Sequence, residues 1–495
     1  MRLLFSTFCL LLFFLACTPQ NSTWQVDLPS ITSFSSPRTT DLNGDGIKDV
    51  IIGAGTLEWY PSDSAVVALN GADGSVLWYS AARNQIVGSA LFLDINQDET
   101  PDVIIGGRSA ELQALDGKNG QKIWEFFQSK NPMAHRKAGW FNFFNPQLIT
   151  DQNGDGLADL LVSNGGDATL SAGQTNRPAG KLLLLDGKTG AIISQATMPD
   201  KKETYFSPVV VNPAEPNPSV VIGTGGETIG GHLYLTTLQD IKKGNLSGAI
   251  ALDSAVHKGF IAPTLLADLT GDGKLDFIVN AVEGKTTLID GKTYQKHWEV
   301  VCPEAEVYSM PTVGYFSGND KVLDVFVCYS IGTYPFFKRS EQWLIDGKTG
   351  KVVQQWQSGG FSYSSPLTGD FDQDGHDDAL LVTIFDKLVK GENKPFYHLE
   401  VYDFFKNRQY AIGDDMSGAN FASTPWLGDL DNDGALDVID CGSPAIVKDF
   451  PGDTSFEKPQ NKLTVRRLIL KQCSVKDIKW GAYMGNQADG RYLRP

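Results

Sequence analysis

The chain has 495 residues, 42 Lys and Arg against 58 Asp and Glu for a formal charge of −16, and a 41% hydrophobic share. That apolar share excludes a disordered chain, and 20% charged residues exclude a polytopic membrane protein. The acidic balance argues against a nucleic-acid or anionic-lipid surface, which would repel it, while 51 glycines and 11% aromatics favour a turn-rich β protein.

The first element along the chain is a targeting segment. Met1 and Arg2 give a basic start, residues 3–15 an apolar run, and Leu15-Ala16-Cys17 a small-residue cleavage point. The run is too short to cross a ~30 Å hydrocarbon core, which needs about 20 residues. The Leu-Ala-Cys ending resembles a bacterial lipobox, departing from it at Phe14, where Leu is usual. The resemblance implies a signal peptide over 1–16 and lipidation of Cys17. Cys302, Cys328, Cys441 and Cys473 remain beyond it; an exported protein could pair them, and their spacing selects no pairing.

One nine-residue pattern, D-x-[DNT]-x-D-G-x-x-D followed by an apolar run, then recurs. It stands as DLNGDGIKD at 41–49, DINQDETPD at 94–102, DQNGDGLAD at 151–159, DLTGDGKLD at 268–276, DFDQDGHDD at 370–378 and DLDNDGALD at 429–437. The second copy carries Glu99 in place of glycine. Two further positions, near 208–223 and 311–327, keep the flanking apolar strands without the acids. Between the loops lies a second signature: LNGADG at 69–74, LDGKNG at 115–120, LDGKTG at 185–190, IDGKT at 289–293 and IDGKTG at 345–350. Trp78, Trp124, Trp298 and Trp356 follow four of these. Each is an apolar strand, a tight turn and a second strand, which is a β-hairpin signal.

The unit is therefore four strands: one before the acidic loop, one after it, then the hairpin. Eight such units at roughly 45–60-residue spacing predict an all-β fold, a β-propeller of eight four-stranded blades. Seven blades and a decayed unit is the competing count. The expected organisation is a tether over 17–23, the propeller over 24–474 and a C-terminal extension over 475–495 with no assigned role.

Oxygen side chains at alternate positions, with glycine at the sixth, suit a hard cation that takes six to eight oxygen ligands. Positions 1, 3, 5 and 9 supply side chains and position 7 a carbonyl. The candidate sets are Asp41, Asn43, Asp45, Ile47 and Asp49, then Asp94, Asn96, Asp98, Thr100 and Asp102, then Asp151, Asn153, Asp155, Leu157 and Asp159. The remaining three are Asp268, Thr270, Asp272, Lys274 and Asp276, then Asp370, Asp372, Asp374, His376 and Asp378, then Asp429, Asp431, Asp433, Ala435 and Asp437. An apolar run follows at once, with Ile52 and Val162 at position twelve, so these are not EF-hands. The expected role is structural Ca²⁺, each site of ~10⁻⁴–10⁻³ M affinity adding roughly 0.4–1.4 kcal/mol at about 1 mM calcium. Glu99 is expected to strain its loop and make that site the weakest.

The acidic repeats resemble the FG-GAP family, the integrin-α-like propellers with calcium loops, and the hairpin half looks like the repeats of quinoprotein-type propellers. The FG-GAP resemblance implies adhesion or ligand binding, a fold-level analogy only.

Alternating strand direction puts the acidic loops and hairpin turns on one face. The long insertions, at 129–146, 164–180, 223–247, 330–341, 386–395 and 442–462, are expected on the other, the usual place for binding on a rigid scaffold. Within the first insertion Trp140, Phe141 and Arg136 are the candidate ligand-binding residues, beside Lys137, Phe143 and Phe144; the competing reading is a loop that buries its own aromatics. An aromatic recurs three residues before a strand-opening proline, at Phe34, Phe143, Tyr205, Phe260, Tyr308 and Tyr363, and reads as a packing layer. Residues 24–28 match the outermost strands and are expected to close the ring beside 463–470, with 475–483 as the rival segment.

The leading function is a lipid-anchored binding protein of the bacterial cell envelope, taking a glycan or an envelope or extracellular protein and no nucleic acid. The alternatives are a polysaccharide-active enzyme of lyase type, a quinone-dependent dehydrogenase and an envelope assembly scaffold. His135, His232, His257, Arg177 and Glu227 are the groups available to an enzyme, and no spacing shows that they converge. No nucleophile elbow, zinc-protease motif or phosphate loop is present.

Overall fold

The computed structural model describes residues 20–129, 131, 133–167, 169–171, 173–317, 321–334, 336–443 and 462–492. Their strands form eight antiparallel sheets, five of four strands and three of five; six run from inner to outer edge as the chain runs, while blade eight takes its outer strand from Gln20–Pro29 and blade seven its innermost from Ile478–Trp480. This is an eight-bladed β-propeller, and the seven-blade count is excluded. Blade one has the strands Arg38–Thr40, Asp49–Gly53, Ser62–Leu69 and Val76–Ala82, and the acidic loop joins the first two. No helix among the described residues is long and apolar enough to cross a membrane.

The burial pattern explains why the strands read differently in sequence. Second strands such as Asp49–Gly53 and Asp102–Gly106 are buried at every position, because a neighbouring blade covers each face. They therefore appear as unbroken apolar runs. The outer strand Val352–Ser358 alternates between half-buried and exposed, as a strand with one face in solvent must.

Adjacent blades are fastened by tryptophans. Trp78 Nε1 donates to the Gly117 carbonyl in the next blade's hairpin at 2.8 Å, Trp124 to Gly187 at 3.1 Å and Trp298 to Gly347 at 2.8 Å. The ring lies against the second glycine of the same turn: a Cβ on Gly120 would stand 2.5 Å from Trp78. Gly120 also holds φ +70°, so both the turn and the ring require glycine there. Blade seven lacks this hairpin, and Trp356 instead stacks on Phe404, with centroids 5.1 Å apart and planes 7° off parallel.

Ring closure follows the first of the two expected routes. The strand Gln20–Pro29 is the outer strand of blade eight, pairing Trp24 with Arg467, Val26 with Val465 and Leu28 with Leu463. Trp24 Nε1 then donates to the Gly71 carbonyl of blade one at 2.9 Å, so the chain's beginning docks its last blade onto its first. The strand starts at Gln20, inside the span expected to be a tether. The rival segment is not an outer strand. Residues 478–480 pair with the inner strand Leu367–Gly369 of blade seven. Residues up to 492 then continue across the channel, so the expected extension is part of the core.

Three insertions differ from the expected loops. Residues 330–341 and 386–395 are tips of long hairpins, between Asp324–Thr333 and Phe336–Ile345 and between Asp378–Val389 and Glu392–Asp403. In blade four only residues 224–230 lie on the long-loop face. The strand Gly231–Thr237 follows, and the helix Leu238–Lys242 replaces the hairpin turn on the acidic-loop face, where Lys242 Nζ reaches the Gln152 carbonyl at 2.8 Å. Most of 442–462 lies outside the described residues, as do residues 1–19 with Cys17. Cys302, Cys328 and Cys441 are buried free thiols.

Candidate functional site

The acidic loops fold on themselves through their own carboxylates. Asp41 accepts the N–H groups of Gly44 at 2.7 Å and Gly46 at 2.9 Å, Asn43 accepts that of Asp45, and Asp45 that of Ile47. The loop at 151–159 repeats each of these bonds, and backbone donation from Gly156 and Gly154 holds the Asp151 carboxyl below its ordinary value. The ninth residue has a second task that the motif did not announce. Asp49 accepts from the Leu42 N–H in the loop and the Gly71 N–H in the hairpin turn, at 2.9 and 3.0 Å. Asp102, Asp159 and Asp276 make the same pair of bonds. The two sequence signatures are thus joined through one buried carboxylate, whose oxygens keep further lone pairs for a cation. Burial pushes the Asp49 carboxyl upward against those backbone bonds.

The six loops differ in what else reaches them. In blade seven one oxygen each from Asp370, Asp372 and Asp374 lies within 4.8 Å of the others, and in blade eight the same holds for Asp429, Asp431 and Asp437. Asp372 Oδ1 and Asp431 Oδ1 are buried without a hydrogen-bond partner, which fits a cation seat. Protein cations already stand beside both loops. Lys406 contacts Asp372 and lies 2.8 Å from Asp374, Arg408 contacts Asp372, and Arg467 is 2.5 Å from Asp431 and 2.9 Å from Asp437. Lys118 is 2.8 Å from Asp98 in blade two. No ion pair is formed by the carboxylates of the loops at 41–49 and 151–159 among the described residues.

On the opposite face the residues before each inner strand build a floor and a wall. The floor is a girdle of side-chain oxygens standing immediately before the strand-opening prolines and, in blade two, before Ala90. The backbone N–H of Met310 donates to Ser365 Oγ at 3.1 Å, that of Ser365 to Thr424 Oγ1 at 2.9 Å, and that of Thr424 to Ser36 Oγ at 2.9 Å. Ser36 donates to Ser89 Oγ, Ser89 to Asn145 Oδ1, and Asn145 Nδ2 to Ser207 Oγ, at 3.2, 2.7 and 2.9 Å. The series stops at blades five and six, where Ala262 and Met310 have no side-chain oxygen to offer.

The wall stands two residues earlier, or three in blade eight, and is missing from blade two, where Val87 takes the position. Phe143 and Phe260 are fully buried, as a packing layer requires. Phe34, Tyr308 and Tyr363, with Phe421 and Tyr334, form an arc open to solvent over blades six, seven, eight and one. Tyr308 meets Tyr334 at 6.3 Å, Tyr334 meets Phe421 at 6.4 Å, and Phe421 meets Tyr363 at 4.6 Å and Phe34 at 4.8 Å. Phe421 escaped the sequence pattern because it precedes Pro425 by four residues instead of three. The other half of the mouth is charged. Arg108 pairs with Glu58 and lies 5.1 Å over the Trp59 ring. Lys258 pairs with Glu306, which also accepts from the Tyr308 hydroxyl at 2.6 Å. Arg177 and the Tyr205 hydroxyl both donate to Glu203 Oε2 at 3.3 Å, while Glu203 Oε1 is buried without a partner.

Glu227 sits among these groups and hydrogen-bonds to no other described residue. Solvent reaches it, yet protein surrounds it on most sides, as in a concave mouth. Desolvation pushes its carboxyl upward, opposed by Arg108 and Lys258 and reinforced by Glu306 and Glu58. Beside the mouth, Arg177, Lys202, Thr228 and His257 border a shallow groove of about 750 Å³.

The residues first expected to bind ligand pack locally. Phe141 is buried, Trp140 meets Phe126 edge-on at 5.1 Å with Lys181 Nζ 4.0 Å from its ring, and Arg136 pairs with Asp167 at 2.7 Å. Of the groups available to an enzyme, Arg177 and Glu227 stand at the mouth. His232 is tied to Asp200 at 3.0 Å, and His135 is buried in the short helix Ala134–Lys137.

A family model described as outer membrane protein assembly factor BamB matches residues 24–229, less than half of the chain. Protein FAM234B of Gallus gallus is 26% identical over 195 residues, which is 37% of this chain; the chain spans 29% of that relative's length. Among solved structures, a europium-containing methanol dehydrogenase superposes with a TM-score of 0.56 at 12% identity, covering 91% of this chain and 93% of that one. The quinohemoprotein alcohol dehydrogenase ADHIIG from Pseudomonas putida HK5 gives 0.52 at 12% identity, covering 92% and 76%. Likeness at this identity is likeness of fold, and the quinohemoprotein match fits the quinoprotein-like hairpins.

Proposed function

We propose that this chain is a binding protein of the bacterial cell envelope whose ligand seats in the mouth opposite the acidic loops. The observation that carries it is convergence: all eight blades send a side chain or a connecting segment to one concavity, half aromatic and half charged. Flat aromatic faces beside carboxylates and guanidinium groups suit a glycan chain or a protein segment, each with apolar faces and many hydrogen-bonding groups. The name of the matching family model, an assembly factor of the outer membrane, supports the envelope location and a protein partner.

The acidic loops, FG-GAP-like in pattern, bind structural Ca²⁺ in this proposal through positions 1, 3, 5 and 9 and the position 7 carbonyl. Blades one and three bind best, because no protein cation competes there. Cys17 carries the lipid. The strand Gln20–Pro29 begins on the acidic-loop face, so a short anchor turns that face to the membrane and the mouth outward.

A second reading rests on Glu227, a carboxyl of raised pKa without a hydrogen-bond partner between Arg108 and Lys258: acid–base chemistry on a polysaccharide. A quinone-dependent dehydrogenase rests on fold likeness alone, which carries no activity.

The test is to incubate residues 18–495, in calcium, with polysaccharides and envelope proteins, following retention and new ultraviolet-absorbing or reducing ends. Retention that falls about tenfold in Tyr334→Ala, equivalent to ~1.4 kcal/mol, supports the binding protein. Product formation abolished by Glu227→Gln establishes the second reading. Retention unchanged in both variants removes the mouth from the proposal.

A further inference from the structure

The central channel holds a segment that the repeats do not explain. After its last blade the chain makes one turn at Val475–Asp477, capped by Ser474, and enters from the acidic-loop end, where the Asp477 carbonyl accepts from Asp370 N–H at 3.1 Å. The strand Ile478–Trp480 pairs with the channel edge of blade seven. The Gly481 carbonyl accepts from Leu427 N–H of blade eight at 2.7 Å. The Tyr483 carbonyl accepts from Arg38 Nη2 of blade one at 2.5 Å, and the Ala488 carbonyl from Gln147 Nε2 of blade three at 3.1 Å. In blade five, Leu266 donates to the Gly490 carbonyl and accepts from Tyr492 N–H, both at 2.8 Å. Trp480, Ala482, Met484 and Tyr492 are buried.

Two observations mark the channel as a binding site for this segment. The inner strands present their free edges to the channel, and such edges accept an added strand through main-chain bonds whatever its sequence. The segment makes those bonds on three blades. Arg38 supplies specificity. It is enclosed in the channel, forms no ion pair among the described residues, and leaves its Nε without a partner. Its guanidinium answers to the Tyr483 carbonyl and to the field of Asp489, both from the tail, while burial lowers its pKa to about 10. The tail also bonds blade five, where the girdle of side-chain oxygens is interrupted.

We infer that the central channel is a polypeptide-binding site and that residues 478–492 are its resident ligand, a short strand at Ile478–Trp480 followed by tight turns, rich in aromatics and glycine. Held this way, the tail ties together blades seven, eight, one, three and five. The inference is independent of what the mouth binds.

The decisive experiment inserts a specific protease site after the exposed Lys476 in the full chain and cleaves the folded protein. The expected result is that the tail co-elutes with the ring in gel filtration and separates only in denaturant; separation in native buffer overturns the inference. In a second arm, a chain ending at Asp477 is titrated with a synthetic peptide of residues 478–492. Saturable binding with a blue shift of peptide Trp480 is expected, weakened at least tenfold by Arg38→Met and absent from the intact chain. A folded truncated chain that ignores the peptide, or an intact chain that binds it equally, refutes the proposal. If the truncated chain does not fold, the cleaved full chain decides alone.

Discussion

Five of the acidic loops turn at position six through glycine, with φ between +83° and +89°, and the loop of blade two makes the same turn with Glu99 at φ +70°. A side chain in that region costs about 1–2 kcal/mol. Glu99→Gly should therefore raise stability by about 1 kcal/mol in urea denaturation with EDTA, where calcium cannot contribute; an unchanged midpoint would show that the strain is absorbed elsewhere. Position four is left-handed as well, held by Gly44, Gly154 and Gly271 but also by Gln97, Gln373 and Asn432. The motif gave no notice of this, because a polar residue tolerates the turn well enough to blur the pattern. His398 offers a test by pH. Its burial opposes protonation, but the Glu400 carboxylate 3.9 Å away and the hydrogen bond to Asp415 at 3.0 Å outweigh that and raise its pKa. The stabilisation is fully present below the unfolded histidine value of about 6.5 and is lost as pH rises through the higher folded value. Wild type should lose stability over that interval relative to His398→Gln, measured by urea denaturation at a series of pH values.

Strands and hairpins were legible because their pattern is local: an acidic loop, an apolar run, a glycine turn. The contacts between blades were not, since they link residues far apart along the chain. Nothing in Ile123-Trp124-Glu125 says that its indole bonds the carbonyl of Gly187. Trp78→Phe keeps most of the ring and leaves the Gly117 carbonyl without its donor, which should cost about 1–3 kcal/mol. Gly120→Ala should cost at least as much, because the new methyl meets the same indole in a left-handed turn. Both are read from the thermal midpoint, and a loss confined to Gly120→Ala would show that packing, not the hydrogen bond, fastens the blades. The mouth was half legible. The aromatics before the prolines were visible as a series, but which of them would face solvent depended on neighbouring insertions. Phe143 is covered by Phe126 of its own face, while Tyr308 has Glu306 and Tyr334 for company. The girdle had a signal that went unread, a Ser, Thr or Asn before proline at Ser36, Asn145, Ser207, Ser365 and Thr424.

The ring as a whole depends on one strand from the other end of the chain. Deleting residues 20–29 should leave the edge of Lys462–Ser474 bare and remove the Trp24 dock on blade one. Such an exposed edge templates association. Calorimetry should show a broadened, lower transition and gel filtration a larger species; a sharp transition in a monomer would mean that the remaining contacts close the ring unaided. The pairing of Trp24 with Arg467 also sets an order of events in time. During synthesis the first strand must wait, unpaired, until nearly the whole sequence exists, and the tail that fills the channel comes later still. A nascent chain can finish its middle blades one after another, yet it cannot shut until the strand Lys462–Ser474 is made. Long-range pairing of this kind is slow, so the unfinished molecule spends its youth as an open arc with two sticky ends.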